Sequence, residues 1–236
     1  MSYKLYNGSE TITIKYFSMF SGIGGFEYGL QQSKHDFENV GFSEIDKYAV
    51  SIYERHYPNH TNYGDATKIK TEELPDFDFL VGGFPCQAFS VAGKRGGFND
   101  TRGTLFFEIA RILKDKKPPY FLLENVRGLL SHDKGRTFQT ILGVLSDLGY
   151  IVQWTLLNSA DFQVPQRRER VFIEGYLGGG STGEVLSVRR NCSKNITKVN
   201  SFRDKHRTFS VYPDTNKKVI DKNFTEVKDD KYVTTK

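Results

Sequence analysis

Two hydrophobic periods alternate along the chain. Ile12-Thr13-Ile14-Lys15-Tyr16-Phe17 repeats every second residue, as a strand does, and runs on to the tight turn Ser21-Gly22-Ile23-Gly24-Gly25. From 26 to 32 the period lengthens to that of a helix. A second strand over 38–44 precedes a helix over 46–56, which Pro58 closes. A third short strand ends at Gly64-Asp65, and a fourth, over 77–81, leads into Gly82-Gly83-Phe84-Pro85-Cys86. Leu105, Ile109, Ile112 and Leu113 form a helical stripe before the strand Tyr120-Phe121-Leu122-Leu123. Phe138, Ile141, Leu142, Leu145 and Leu148 form another, followed by strands over 151–157 and 171–176. No segment repeats. Strands alternating with helices predict an α/β fold, a mostly parallel twisted sheet with helices on both faces.

Such a sheet gathers Ser21 to Gly25, Glu44, Asp65, Cys86 and Glu124 along one edge, since each falls at or just past a predicted strand end. Open α/β sheets take their ligands at that edge. The glycine turn opens a helix whose N–H groups suit an anion, and glycine admits close backbone approach. It is not the dinucleotide fingerprint, because Glu27 stands where the third glycine belongs. Glu44 is placed for ribose hydroxyls, with a plain surface carboxylate as the alternative; Asp65 serves equally as a turn residue. Together these positions suggest an adenosine-containing ligand bound without a pyrophosphate signature.

Cys86 follows a proline that has no N–H to donate, and Gly82 and Gly83 allow a sharp turn off the strand. A thiol aimed outward there is placed as a nucleophile; the alternative is a small buried core residue. Glu124, directly after a buried run, is expected to be desolvated, which raises its pKa and lets it donate a proton near neutral pH. The alternative is a structural ion pair with Gln166-Arg167-Arg168-Glu169-Arg170, where Arg168 and Arg170 share a face if the segment is extended.

Composition narrows the classes. The 236 residues allow one or two domains with a sizeable core. No apolar run approaches a membrane span and Met1 to Glu10 is polar, so a cytoplasmic protein without a membrane partner is expected. Cys86 and Cys192 are too few for a disulfide framework. No metal site is expected: His56 and His60 have helical spacing, but Pro58 lies between them. The five histidines offer no recognisable partner for a cysteine hydrolase. The net charge of +5 is uneven, with 20 basic against 21 acidic residues up to 175 and 13 against 7 beyond. A basic tail suits phosphate contacts or a solvated surface.

The ordered set Phe-Ser-Gly-Ile-Gly-Gly (20–25), Glu44-Ile45-Asp46, Gly64-Asp65, Gly-Gly-Phe-Pro-Cys-Gln (82–87), Gly-Thr-Leu-Phe-Phe (103–107), Glu-Asn-Val (124–126) and Gln-Arg-Arg-Glu-Arg (166–170) closely resembles the DNA (cytosine-5) methyltransferases of bacterial restriction-modification systems. The resemblance implies a Rossmann-like S-adenosylmethionine-dependent methyltransferase fold. It also implies methyl transfer from S-adenosyl-L-methionine to carbon 5 of a cytosine flipped out of double-stranded DNA. Cys86 is then the nucleophile at carbon 6. Glu124 holds ring nitrogen 3 and the exocyclic amine, Arg170 the carbonyl oxygen, and Arg168 orients the site and a phosphate. Phe20, Gly22, Gly24 and Gly25 cradle the methionine portion and Glu44 the ribose, while Ile45, Asp65, Ala66 and Leu105 surround the adenine and Pro85 joins the cofactor contacts. Gln87 contacts DNA, as do Ser90, Lys94, Arg95 and Arg102 from a loop over 90–103 that closes on it.

The resemblance divides the chain into a catalytic cofactor-binding domain, 1–176, and a partial target-recognition region or basic tail, 177–236. Two further family motifs do not occur before Lys236. A truncated product or the larger subunit of a split enzyme, completed by a second polypeptide, is therefore expected, beside a cognate restriction endonuclease. Two alternatives stand: a non-catalytic cofactor- or DNA-binding remnant, and a transfer-RNA cytosine-5 methyltransferase, although its usual Pro-Pro-Cys and Cys-Phe-Thr are absent here.

Overall fold

The computed structural model describes residues 12–85 and 105–178, with the backbone of 209–211 and 219–221. Its strands are β1 (Thr13–Met19), β2 (Asp36–Ser43), β3 (Phe79–Gly83), β4 (Tyr120–Val126), β5 (Tyr150–Asn158), β6 (Glu169–Leu177), β7 (Phe209–Val211) and β8 (Val219–Asp221). They form one sheet in the order β2-β1-β3-β4-β6-β5-β7-β8. Pairings among β2, β1, β3 and β4 are parallel, and every pairing beyond β4 is antiparallel. The α/β expectation holds, with a mixed sheet in place of a mostly parallel one. The helical crossover from β4 brings β5 back parallel to it but leaves a gap one strand wide. β6 returns from β5 through a loop of residues 159–168 and fills that gap, which forces the antiparallel sense. The strand expected at Gly64-Asp65 is only a bridge, Asn62 to Phe42, beside β2.

Helices cover both faces. α1 (Gly25–Gln31) lays Phe26 and Leu30 on Tyr16, Phe79, Val81 and Leu122. α2 (Lys47–His56) begins where Asp46 accepts from the N–H groups of Tyr48 and Ala49, an N-cap that fixes its start. Its Tyr53, with Tyr57 just beyond the helix, packs on Phe42, which is in register with Ser18 and so shares the α1 face. On the opposite face, α3 (Leu105–Lys116) buries Phe106, Ile109, Ala110, Ile112 and Leu113, a helical stripe that meets Leu80, Phe121 and Leu123. Pro118 and Pro119 lie just beyond its end. α4 (Arg136–Asp147) adds Phe138, Ile141, Leu142 and Leu145 to the same core. Among the described residues, no helix is long and apolar enough to cross a membrane.

The centre of the sheet is packed to the limit at Gly175. A Cβ there would lie 2.2 Å from the ring of Phe121, which is fully buried and stands edge-on to Tyr150 with centroids 5.0 Å apart. The Phe121 ring lies against bare backbone of β6, and that contact seats the antiparallel half on the parallel half. Gly175→Ala is expected to cost about 1–3 kcal/mol through overpacking, read as a lower urea midpoint. An unchanged midpoint would show that the ring has room to move.

Candidate active site

The carboxyl ends of the parallel strands carry the predicted positions in spatial order. Phe20 to Gly25 follow β1, Glu44 follows β2, Phe84 and Pro85 follow β3, and Glu124 lies in β4 two residues before its end. Gly64 and Asp65 stand beside the end of β2, held by the bridge at Asn62. Cys86, Gln87, Ser90, Lys94, Arg95, Arg102 and the 90–103 loop lie outside the described residues.

The glycine turn is an unusual run of backbone. Phe20, Gly22 and Gly24 have φ of +53°, +57° and +94°. At Gly24 only glycine fits on two counts, since a Cβ would also meet Tyr57 at 2.6 Å and Tyr53 at 3.3 Å. The turn is held from the side. Ser21 N–H donates to Ser43 O (3.2 Å), Gly22 N–H to Glu44 Oε2 (2.9 Å), and Gly24 N–H to Ser21 O (3.1 Å). The N–H groups of Gly22 and Gly24 are thus committed to holding the turn itself.

Glu44 does more than wait for a ligand. Its Oε1 accepts from the N–H groups of Ile45 and Asp46, both at 2.8 Å, while Oε2 takes the Gly22 bond. Three bonds on a carboxylate with about four acceptor positions leave room for one hydroxyl. Asn62, which sequence inspection passes over, ties this acid to its neighbour: its amide oxygen accepts from Glu44 N–H (3.3 Å) and Gly64 N–H (2.8 Å), and its amide nitrogen donates to Glu44 O (3.2 Å). Ser43 Oγ adds a bond to Gly64 O at 2.7 Å. An Asn two residues before a backward-bonded glycine is a readable turn signal.

Asp65 serves as a cap here, accepting from Thr67 Oγ1 (2.7 Å) and N–H (3.0 Å), bonds that hold its carboxyl below the usual carboxylate range. Ala66 is buried, and its carbonyl accepts from Arg111 Nη2 (3.1 Å), a guanidinium paired with Glu108 (2.8 Å). Leu105, half-buried, starts α3, and Ile45 is 73 % exposed at the rim.

At the other end of the row, Glu124 is opposite Gly83 in the ladder, and a Cβ on Gly83 would approach Glu124 Oε2 to 3.4 Å. Arg170 Nε reaches Glu124 Oε1 at 2.6 Å, with both side chains about three-quarters buried. The ion pair offered as an alternative is therefore present; Glu124 is not an isolated acid. Arg170 begins the face shared with Glu124 because Val126 and Arg170 are in register. Arg168 precedes β6 and is exposed, with its N–H bonded to Ser159 Oγ (3.1 Å). Asn125, fully buried, donates to Phe84 O at 2.8 Å and so fixes the residue two before Cys86. Pro85 is exposed. Among the described residues, no group of three or more His, Cys, Asp or Glu could hold a metal ion.

Fold and site together define an α/β ligand-binding protein with a paired acid and arginine beside a glycine turn. The chain belongs to the C-5 cytosine-specific DNA methylase family, whose model matches residues 14–236. Type II methyltransferase M1.ScrFI of Lactococcus lactis subsp. cremoris is 52% identical over 171 residues, 72% of this chain and 43% of that protein. Type II methyltransferase M.BanI of Aneurinibacillus aneurinilyticus is 43% identical over 220 residues, 92% of this chain and 47% of that protein. The chain thus spans less than half the length of these relatives. A crystal structure of a mutant Spodoptera frugiperda DNMT2 superimposes with a TM-score of 0.58 at 26% identity, over 69% of this chain and 50% of the other.

Asn62→Ala removes three bonds from the rim at once. It is expected to lower stability by about 1–3 kcal/mol, since the Gly64 and Glu44 N–H groups lose their acceptor. Amide exchange at Gly64 and Glu44 should quicken relative to β3. Unchanged exchange there would mean that the rim is held by the strands alone.

Proposed function

We propose that this chain is the catalytic part of a DNA cytosine-5 methyltransferase, acting on a cytosine flipped out of double-stranded DNA in a restriction-modification system. The observation that carries this is the Glu124–Arg170 pair beside Gly83, at the base of the segment that leads to Cys86. An acid and a guanidinium side by side match the edge of a cytosine, which presents a ring nitrogen and an amine next to a carbonyl oxygen.

S-adenosyl-L-methionine fits the residues at the other end. Gly22 and Gly25 have open space where a Cβ would point, Glu44 retains an acceptor position, and Ile45 offers an exposed apolar surface. In this assignment Phe20, Gly22, Gly24 and Gly25 take the methionine portion, Glu44 the ribose, and Ile45, Asp65, Ala66 and Leu105 the adenine, with Pro85 close by. When bound, the cofactor supplies an electrophilic methyl group.

The chain's own residues act on the base. Cys86, as thiolate, adds to carbon 6, and the ring's electron pair moves towards carbon 5 and nitrogen 3. Glu124, in its carboxylic acid form, donates its proton to nitrogen 3 as charge develops there and accepts from the amine, while Arg170 holds the carbonyl oxygen. After carbon 5 is methylated, loss of its proton to a base, water in the simplest case, re-forms the double bond and expels Cys86. Arg168, which is exposed, takes a phosphate in this reading, and Gln87, Ser90, Lys94, Arg95 and Arg102 provide further DNA contacts. A second polypeptide supplying the rest of the relatives' length, a cognate endonuclease and a cytoplasmic location belong to the same proposal.

Transfer of labelled methyl to mixed-sequence DNA, with and without such a second polypeptide, tests the reaction. Cys86→Ala is expected to lower the rate by at least about 10³-fold while leaving the unfolding midpoint within about 0.5 kcal/mol of wild type. Substantial transfer by that variant would refute the nucleophile. Glu124→Gln should slow transfer about 10²–10³-fold; a wild-type rate would make the carboxylate purely structural.

A further inference from the structure

Beneath the glycine turn lies a polar chain that neither the family likeness nor the proposed mechanism uses. Glu27, on the first turn of α1, is completely buried, and among the described residues no Lys or Arg pairs with it. Tyr53 Oη donates to Glu27 Oε1 at 3.0 Å and lies 3.0 Å from His60 Nδ1. A phenol has one proton, so with that proton in the Glu27 bond the His60 Nδ1–H donates to the phenol oxygen. Ser18 Oγ faces the acid from β1 and, like Tyr53, favours its ionised form against the burial that opposes it.

The same tyrosine supports the turn. Its ring and that of Tyr57 are the atoms a Cβ on Gly24 would strike. Tyr53 stacks on Phe42 with centroids 3.9 Å apart, and Tyr57 stacks on His60 at 5.1 Å. Glu27 and Gly24 lie on one helical turn, so a bond from Glu27 to Tyr53 staples α1 to this aromatic floor.

We propose that Glu27, Tyr53 and His60 are positioning residues: the His60 Nδ1–H donates to Tyr53, Tyr53 donates to Glu27, and the chain holds the aromatic floor against Gly24, shaping the turn for its ligand. The role in ligand binding rests on the cofactor assignment above. The direction of the bonds does not.

Two further facts agree. Burial raises the Glu27 carboxyl and lowers the His60 imidazole, and a neutral imidazole with its proton on Nδ1 is the form this arrangement needs. The other titratable groups around the acid are Tyr16 from β1, Tyr57 at the end of α2 and, beside Tyr57, Tyr28 of α1 and His56; Tyr16, Tyr53 and Tyr57 are themselves shifted upward by burial and by Glu27. A raised carboxyl contributes stability that is present below its ordinary value, 4.5, and is lost as pH climbs through the folded-state value. A neutral amide at 27 has no such loss.

Three measurements test the chain. Nitrogen-15 NMR of the wild type should show His60 with Nδ1 protonated and Nε2 bare at neutral pH; a bare Nδ1 would overturn the direction. The wild type should lose stability relative to Glu27→Gln as pH rises above about 4.5, and parallel curves would overturn the buried acid's part in the chain. S-adenosyl-L-methionine binding by calorimetry should weaken about three- to tenfold in Tyr53→Phe and Glu27→Leu, roughly one hydrogen bond's worth, while Glu27→Gln stays within about twofold because its amide oxygen still accepts from Tyr53. Wild-type affinity in Tyr53→Phe would overturn the positioning role. A wild-type chain that binds no cofactor would defeat the cofactor assignment instead, leaving the first two measurements to decide the chain.

Discussion

Four strands running parallel and in register are the constraint on which the site depends. β2, β1, β3 and β4 end at neighbouring points, so residues roughly 20 to 100 positions apart in sequence become a row a few strands wide. The turn after β1 is the costly part of that row. Phe20 adopts a left-handed conformation that costs a non-glycine residue about 1–2 kcal/mol. The Glu44 bond to Gly22 N–H is charge-assisted, a kind worth about 1.5–3 kcal/mol, and is backed by the Ser21–Ser43 bond. The hydrogen bonds win, and the turn persists at the end of a well-packed strand.

The same economy of parts recurs across the site. Glu44 secures one loop and retains capacity for a hydroxyl. Asn125 caps no helix and pairs with no charge; it spends its amide on the carbonyl of Phe84, which sets the path of the chain towards Cys86. Arg170 neutralises Glu124 and keeps it aimed at the space next to Gly83. Phe84 and Glu124 are each held by a residue of a neighbouring strand, so their geometry follows from the sheet.

Much of this was legible in the chain itself. The apolar periods gave the helices and most strands to within a few residues, because α3 and α4 bury continuous stripes and β1 and β3 have no polar competitor. Strand order was not legible: nothing local in residues 169–177 says that β6 slips between β4 and β5. Gly64-Asp65 punctuates the chain as a strand end does, although the segment makes only the bridge at Asn62. The ion pair of Glu124 was visible only as one of two possibilities, since sequence does not say which arginine reaches it. Glu27 was noticed for what it displaces, the third glycine, and its burial against Tyr53 and His60 emerges only from the packing of α1 on α2.

Covalent addition by Cys86 is the centre of the functional account, and a cytosine carrying fluorine at carbon 5 tests it most directly. Once carbon 5 is methylated there is no proton to lose, so the enzyme cannot be expelled and the adduct should accumulate. With cofactor, such DNA and a polypeptide supplying the rest of the relatives' length, mass spectrometry is predicted to find one methylated nucleotide bonded to the Cys86 sulfur. Methyl transfer to ordinary DNA with no adduct on the fluorinated one, or an adduct on another residue, would contradict it.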